Sequence, residues 1–261
     1  MFKMFDPTDR ILIPISGGKD SAVLAYFLSR IERRFPSQVF GVVFDEGIPG
    51  LSNYKVDVAK KVASICNISI KCVSYAELFG ETLPTIASRV SEKLNLSACS
   101  ICSILRRRAI DIIAKELSID KIAIAHNLND VVETALLAFL RGDEFNLVRL
   151  FSDICEEIRP RRVRPLMLIP EQETALAHHI LNLPRLLVEC PFSSRSMRRR
   201  VKRFLYIIDT EHPGSLYSIL WSIYRTAKQI SIRPSYKTTC KNCGFPSRKP
   251  LCQVCEILTL V

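Results

Sequence analysis

A glycine pair between an apolar run and a helical segment constrains this chain more than any other stretch. Residues 11–15 read Ile-Leu-Ile-Pro-Ile, which predicts a buried strand. Residues 16–21 follow as Ser-Gly-Gly-Lys-Asp-Ser, and a helical pattern runs from about 21 to 34. Because glycine adopts left-handed backbone angles and has no Cβ, this turn can bring its amides close to a ligand. The sequence therefore predicts a strand, an anion-sized turn and a helix N-terminus in immediate succession.

The residue types in this turn favour phosphate as the ligand. The unpaired amides and the positive end of the helix dipole point to one place, where an oxyanion binds favourably. Ser16 and Ser21 add hydroxyl donors and Lys19 adds a cation, whereas the Asp20 carboxylate suits helix capping or a metal ion. The spacing is neither that of a P-loop nor that of a dinucleotide fingerprint. The alternative is a tight strand-to-helix turn closed by a capping serine.

Composition narrows the class of protein. The 261 residues are 48% hydrophobic, enough for one large core or for a core with a small appendage. No apolar run reaches about 18 residues and no charged-then-apolar leader begins the chain, so we expect no membrane span, no signal peptide and a cytoplasmic protein.

Lysines and arginines number 37 against 26 acidic residues, a net charge of +11 that predicts a polyanionic partner. A merely soluble basic surface is the alternative.

Alternating strand and helix patterns predict an α/β fold with a doubly wound, mostly parallel sheet. Strands after the first are predicted at 39–44, 68–74, 121–125 and 185–188. Helices are predicted at about 53–66, 103–118, 130–141, 145–158, 171–181, 194–206 and 216–227, with one helix and loops within 76–96. Composition shifts to Ser, Lys, Pro and Cys after 229, so we expect a catalytic domain at 1–229 and a small module at 230–261.

The carboxyl ends of parallel strands are where such sheets bind ligands. The candidates for a nucleotide pocket are the residues that end the second and fourth strands: Val42, Phe44, Asp45, Ala125 and His126. Asp130 follows the fourth strand and can hold Mg²⁺ or orient a substrate, or simply cap the next helix. A hydrogen-bonded strand-end histidine is the alternative for His126.

The last cysteines have the spacing of a zinc site. Cys240 and Cys243 form one C-x-x-C pair, and Cys252 and Cys255 form a second. Eight residues separate the two pairs. Four thiolates of this kind suit a tetrahedral structural Zn²⁺, and so short a segment needs the metal to fold. A redox or disulfide function is the less favoured alternative in a reducing compartment.

A second cysteine set is predicted at the ligand edge of the sheet. Cys99 and Cys102 open a predicted helix, which is typical of a redox dithiol or of two metal ligands, and Cys190 ends the last predicted strand. Three converging thiolates can hold a [4Fe–4S] cluster by three irons and leave the fourth open to substrate or sulfide. The alternative is a redox pair with an unrelated core cysteine. The other cysteines are expected in the core: Cys66, Cys72 and Cys155.

A cationic segment favours binding of an RNA backbone, with a solvated helix face as the alternative. Its cations on the predicted helix are Arg195, Arg198, Arg199, Arg200, Lys202 and Arg203. The basic, proline-bracketed connection at 159–165 is a second candidate.

The turn resembles the signature of the PP-loop ATP pyrophosphatases at all six positions: Ser16, Gly17, Gly18, Lys19, Asp20 and Ser21. Nearly the whole chain is similar to the tRNA-thiolating branch of that family, which makes 2-thiouridine or 2-thiocytidine. The further landmarks stand in the family's order: Cys99 with Cys102, 126–130, Arg164-Pro165, 189–191, 212–214 and the C-terminal cysteine pairs.

The resemblance implies a reaction, cofactors and partners. ATP with Mg²⁺ adenylates the C2 oxygen of a pyrimidine, most directly uridine, and sulfur then replaces that oxygen. The implied ligands of a [4Fe–4S] cluster are Cys99, Cys102 and Cys190, which also count as catalytic groups. The further catalytic candidates are Lys19, Asp130 and Arg106. The implied partners are tRNA, a second copy of the chain, and a ubiquitin-like thiocarboxylated sulfur carrier or inorganic sulfide.

Four residues depart from the family pattern: Ser103 and Ala125 each replace a glycine, Arg106 replaces a lysine and Asn129 replaces an aspartate. Arginine keeps the positive charge but cannot accept a proton. Pro14 also removes a hydrogen-bond donor from the first strand. Two other functions are open: a PP-loop ligase or amidating enzyme with an amine nucleophile, which would not need the three cysteines, and a zinc-ribbon RNA-binding protein with an inactive nucleotide fold.

Overall fold

In the computed structural model, which describes residues 3–150, 160–193, 197–229 and 238–261, five parallel strands form one sheet in the order β3-β2-β1-β4-β5. These strands are β1 (Arg10–Pro14), β2 (Gln38–Asp45), β3 (Ser69–Ser74), β4 (Lys121–Ala123) and β5 (Arg161–Val163). The strand order reverses between β1 and β4, so their carboxyl ends flank the crevice in which doubly wound sheets bind ligands. The predicted α/β class is confirmed.

Helices cover both faces of the sheet. In chain order they are α1 (Lys19–Glu32), α2 (Ser52–Cys66), α3 (Tyr75–Phe79), α4 (Leu83–Leu94), α5 (Ala98–Glu116), α6 (Leu128–Leu140), α7 (Glu144–Leu150), α8 (Glu171–Ile180), α9 (Met197–Glu211), α10 (Ser215–Gln229) and α11 (Gln253–Leu258). Packing places α1 and α2 on one face and α4 and α5 on the other. Among the described helices, none combines the length and apolarity that a bilayer crossing requires.

The central strand β1 is buried on both faces, which explains its continuous apolar run. Ile11 and Ile13 pack against α1 and α2, and Leu12 packs against α4 and α5. Pro14 ends the strand, and the next residue, Ile15, donates its amide hydrogen to the Val42 carbonyl at 2.8 Å. The hydrogen bond that proline cannot donate is therefore missing only at the end of β1.

The predicted strand at 185–188 is wrong. That segment contains no strand, and the Leu186 amide instead donates to the Gly17 carbonyl at 2.8 Å, so the chain crosses the phosphate-binding turn. The fifth strand is β5, in the stretch predicted as a connection. It lies at the sheet edge, where charged residues are favoured, and its one buried residue is Val163.

Several helix boundaries also differ from those predicted. The segment 76–96 forms two helices, because Gly80 ends α3 at a φ of +83°. Helix α5 begins at Ala98, not at about 103, because Ser97 caps it. The predicted helix at 145–158 is described only as far as Leu150, and its remainder lies outside the described residues.

The three cysteines expected in the core have different environments. Cys66 is buried against α1, whereas Cys72 is exposed on β3, so that expectation is wrong for Cys72. Cys155 lies outside the described residues.

The C-terminal segment packs on α5. A hairpin of β6 (Thr238–Thr239) and β7 (Pro246–Ser247) precedes α11, and Val254 and Ile257 join the same hydrophobic cluster as Leu105. The guanidinium of Arg108 lies 4.0 Å above the Phe245 ring. The boundary between domains is expected between residues 229 and 230. Residues 230–237 lie outside the described residues, so the division into domains stays a prediction.

Candidate active site

The turn at 16–21 is built to leave the first amides of α1 uncapped. Gly18 is the N-cap residue, and no side chain caps it. The Ser21 hydroxyl donates to the Gly18 carbonyl at 2.8 Å and accepts from the Ser16 amide at 3.2 Å, closing the turn from inside. The capping-serine alternative is therefore wrong. Gly17 has a φ of +80°, a conformation that favours glycine, and a Cβ there would approach Lys55 Cγ to 3.2 Å, a tight contact.

Lys19 and Asp20 are held by residues far along the chain. The Lys19 ammonium pairs with Asp20 at 2.9 Å and with Glu171 at 3.0 Å. Burial alone lowers the pKa of Lys19, but these two carboxylates outweigh it and raise that pKa. Asp20 also accepts hydrogen bonds from Thr174 at 2.6 Å and Asn127 at 3.3 Å. Sequence reasoning missed Glu171, since the first residue of a helix after a proline carries no signal for this role.

The candidates at the end of β2 point in different directions. Val42 and Phe44 are buried in the core on the α4 and α5 side, at 0% and 4% exposed. Asp45 Oδ1 accepts from the Gly47 amide at 2.7 Å. Any contact of the first two with adenine would therefore use backbone atoms.

His126 follows β4 at the crevice. Its Nδ1 atom is buried and makes no hydrogen bond within the described chain. Burial, reinforced by the positive charges of Arg164 and Arg198, lowers the pKa of His126 to about 3. The ring is therefore neutral at physiological pH. Ala125, just before it, is half-buried.

Asp130 serves the fold and faces the site. Asn127, not Asp130, is the N-cap of α6, and the two residues form a reciprocal capping box at 3.0 and 3.3 Å. Burial and then the charge of Asp20 raise the pKa of Asp130. Asn127 donates hydrogen bonds to both carboxylates, from its amide to Asp130 and from its side chain to Asp20. Asn129 accepts from the Glu171 amide at 2.9 Å, so this departure from the family pattern still anchors α8.

Cys99, Cys102 and Cys190 come together at one edge, although the strand predicted to deliver Cys190 does not form. Cys99 and Cys102 lie in the first turn and a half of α5, and Cys99 Sγ donates to the Phe192 carbonyl at 2.8 Å. Burial raises the pKa of the Cys99 thiol, and the nearby sulfurs of Cys190 and Cys102 add to that effect. All three are free thiols. This donor set from two chain segments fits a [4Fe–4S] cluster with three protein ligands.

A buried carboxylate connects the cysteines to the phosphate-binding turn. Glu46, with 2% of its side chain exposed, accepts from Arg106 at 3.0 Å and also pairs with Lys55, whose stem packs on Gly17. The same guanidinium lies 3.4 Å from Cys102 Sγ. Sequence reasoning missed Glu46 and Lys55, although Glu46 stands at the carboxyl end of β2, where the strand-end rule applies.

The C-terminal cysteines form a compact sulfur cluster. The four sulfurs of Cys240, Cys243, Cys252 and Cys255 lie within 4.8 Å of one another. The Cys252 amide donates to Cys240 Sγ at 3.3 Å, and such backbone donors lower the pKa of Cys240 to about 6. Four such sulfurs suit a tetrahedral metal ion.

The basic helix α9 lies beside the crevice. Its buried residues are Val201 and Leu205, whereas the predicted RNA-binding cations are exposed: Arg198, Arg199, Arg200, Lys202 and Arg203. Arg198 donates to Thr134 at 2.8 Å, and Lys202 pairs with Glu171 at 2.8 Å. Arg195 lies outside the described residues.

Comparison with protein families matches residues 1–180 to ATP_bind_3, described as a PP-loop domain. The chain belongs to the PP-loop family. Within the family, this PP-loop protein is 33% identical over 252 residues to a probable sulfurtransferase of Methanocaldococcus jannaschii, covering 95% of this chain and 74% of the relative. It is 30% identical over 263 residues to the tRNA 2-thiolation protein NcsA of Haloferax volcanii, covering 95% of this chain and 81% of the relative.

A solved structure supports the same grouping. The U34-tRNA thiolase NcsA of Methanococcus maripaludis, with its [4Fe–4S] cluster, matches this PP-loop protein with a TM-score of 0.83 at 30% identity. The alignment covers 95% of this chain and 80% of that structure. The resemblance to the tRNA-thiolating branch is thereby confirmed.

Proposed function

We propose that the protein is an ATP-dependent tRNA sulfurtransferase of the cytoplasm that replaces the C2 oxygen of a pyrimidine, most directly uridine, by sulfur. One observation carries the proposal: the buried Glu46 joins the phosphate-binding turn, through Lys55, to the three-cysteine site, through Arg106. Relatives named for tRNA 2-thiolation support it, among them proteins designated cytoplasmic.

In the first step, the C2 oxygen attacks the α-phosphorus of ATP and pyrophosphate leaves. The α1 amides and Lys19 bind the leaving phosphates. Asp20 and Asp130 share Asn127 as a hydrogen-bond donor, and such a carboxylate pair suits Mg²⁺, which would offset their repulsion. Because Glu171 holds the Lys19 ammonium, phosphate replaces that carboxylate as the partner of Lys19.

In the second step, sulfur replaces the adenylated oxygen and AMP leaves. Cys99, Cys102 and Cys190 would hold a [4Fe–4S] cluster, which supplies an iron without a protein ligand that can bind sulfide. Arg106 stabilises negative charge on Cys102 and cannot accept a proton, so its role is electrostatic. Glu46 and Lys55 fix the position of that guanidinium.

The remaining components follow from the same proposal. A Zn²⁺ ion bound by the C-terminal cysteines stabilises that module, and the exposed cations of α9 contact the phosphates of tRNA. Sulfur comes from a ubiquitin-like thiocarboxylated carrier or from inorganic sulfide, and the protein acts as a homodimer. The three thiols at the sheet edge favour thiolation over an amine-transferring ligase, and the intact PP-loop favours it over an inactive RNA-binding protein.

A nucleoside assay tests the proposal. Anaerobically purified protein is incubated with ATP, Mg²⁺, sulfide and unmodified tRNA, and the digested nucleosides are analysed by mass spectrometry. We expect 2-thiouridine with the wild type and with Lys60→Met, an exposed lysine on α2, but not with Lys19→Met or without ATP. The absence of any thionucleoside after the wild-type reaction with unmodified tRNA would overturn the proposal.

A further inference from the structure

A large cleft lies apart from the site described above. It has a volume of about 1170 Å³ and is bounded by α5, β5 and the C-terminal module. Neither the phosphate-binding turn nor any of the three cysteines at the sheet edge lines it. Its residues have no role in the two chemical steps.

The cleft is strongly cationic. Among the residues that the structure describes, eight arginines and lysines line it against two carboxylates, Asp111 and Asp143, and Arg162 donates to Asp111 at 2.5 Å. A concave surface with one sign of charge concentrates its potential and attracts ions of the opposite sign. The excess of arginine favours phosphate, whose oxygens match the guanidinium donors.

The two walls of the cleft come from separate parts of the chain. Arg107, Asp111 and Lys115 lie four residues apart on one face of α5, and from the first to the third this wall is about 12 Å long. The opposite wall carries Arg248 and Lys249, both exposed, at the tip of the C-terminal module.

The floor between these walls ties the module to α5. Arg108 stacks on Phe245 at 4.0 Å and donates to Cys243 Sγ at 3.0 Å and Cys252 Sγ at 3.4 Å. The module is therefore held at a fixed distance from α5 by the cysteine cluster itself. A cleft with two anchored walls loses little entropy when a ligand binds.

We propose that this cleft binds the sugar–phosphate backbone of the tRNA and that the C-terminal module exists to form its second wall. The inference rests on the proposed function, which makes tRNA the substrate. Arg107 lies five residues after Cys102 on α5, about 8 Å along the helix axis. An RNA strand in the cleft is thus led along α5 towards the thiols, while α9 contacts the tRNA on another side of the crevice.

Charge reversal on each wall tests the inference. The variants are Arg248→Glu with Lys249→Glu, and Arg107→Glu with Lys115→Glu. The control, Lys60→Glu with Lys61→Glu, changes the net charge equally on exposed positions of α2, across the sheet. Affinity for unmodified tRNA is measured on the full chain by fluorescence anisotropy over a salt series, and zinc and ATP binding are measured on the same samples.

We expect each cleft pair to weaken tRNA binding about tenfold or more near 0.15 M salt and to lower the salt slope by about 2, with wild-type affinity in the control. Because the pairs lie on separate walls, loss of zinc in the module variant would not explain weak binding by the α5 variant. Cleft variants that bind tRNA as tightly as the control would overturn the inference. That result would also apply if the occupant of the cleft is an acidic protein and not tRNA. It would leave the proposed function intact. A wild type that neither binds nor thiolates tRNA would overturn both.

Discussion

Lys19 in the phosphate-binding turn and Lys202 in the basic helix α9 bind the same carboxylate, that of Glu171. The Lys19 ammonium lies 3.0 Å from Glu171 Oε1, and the Lys202 ammonium lies 2.8 Å from Oε2. A triphosphate that enters the turn therefore competes with Glu171 for Lys19. Glu171 therefore joins the phosphate-binding turn to α9.

Glu171→Gln should increase the affinity for ATP. The change removes both a competitor for Lys19 and a like charge near the phosphates, so we expect binding tighter by about threefold to tenfold in this partly exposed site. Isothermal titration calorimetry at constant salt measures it. Glu173→Gln, an exposed glutamate on the same helix, is the matched control and should bind ATP as the wild type does. Weaker ATP binding by Glu171→Gln would contradict the competition.

Lys55→Met should destabilise the protein strongly. The substitution leaves the Glu46 carboxylate, 2% exposed, with Arg106 as its remaining cation, and removing one partner of a buried pair costs about 3 kcal/mol. Urea unfolding at pH 7 measures the change. Lys71→Met is the control, since its pair with Glu116 is 37% and 52% exposed and contributes less than about 1 kcal/mol. Equal effects of the two substitutions would show that Glu46 does not depend on Lys55.

His126 should make stability fall in acid. Its pKa is lowered to about 3 in the folded protein, against an ordinary 6.5, so the unfolded chain binds the extra proton. The stabilisation is complete above pH 6.5 and is lost as the pH falls from 6.5 towards 3. Between pH 7.5 and 5.5, the free energy of unfolding of the wild type should fall by about 1.4 kcal/mol relative to His126→Leu.

Comparison with the variant is needed because a second group titrates in this range. Burial raises the pKa of Glu133 to about 7, so its protonation favours the folded state as the pH falls, in the opposite direction to His126. The effect of Glu133 is shared by both proteins and cancels. A pH-independent difference for His126→Leu would contradict its burial as a neutral ring.

Loss of one C-terminal cysteine should release the metal of that module. Cys255→Ser removes one of four sulfurs within 4.8 Å of one another, so we expect about one zinc per chain in the wild type and a marked loss in the variant. Elemental analysis measures the metal, and limited proteolysis follows the segment after 229. Cys72→Ser, at an exposed cysteine outside the cluster, should keep the zinc. Undiminished zinc in Cys255→Ser would rule out this site.

The sequence predicted those parts of the site that depend on local chemistry. The turn at 16–21 and the C-x-x-C at Cys99 and Cys102 are recognisable from residue type and short spacing, and the roles assigned to their residues stay predictions. Cys190 lies near Cys99, as the sequence predicted. The reason given for that position was incorrect, because no strand precedes Cys190. The edge strand β5 was missed, since a run of arginines does not have the apolar alternation of a strand with a buried face.

Residues that act through distant partners gave no such signal. Glu171 reaches Lys19 across 152 positions, and Arg106 meets Glu46 across 60. Only the packing of α8 on α1, and of α5 on the sheet, creates those ion pairs. A single sequence therefore indicates which side chains can react, but it does not indicate which distant side chains position them.

The central claim is that Cys99, Cys102 and Cys190 hold a [4Fe–4S] cluster beside the ATP site. Its most direct test is the iron, sulfide and zinc content of anaerobically purified wild type and of the Cys99→Ala, Cys102→Ala, Cys190→Ala triple variant. We predict about four irons and one zinc per wild-type chain, with the iron and sulfide lost and the zinc kept in the variant. Zinc alone in both proteins would contradict the account.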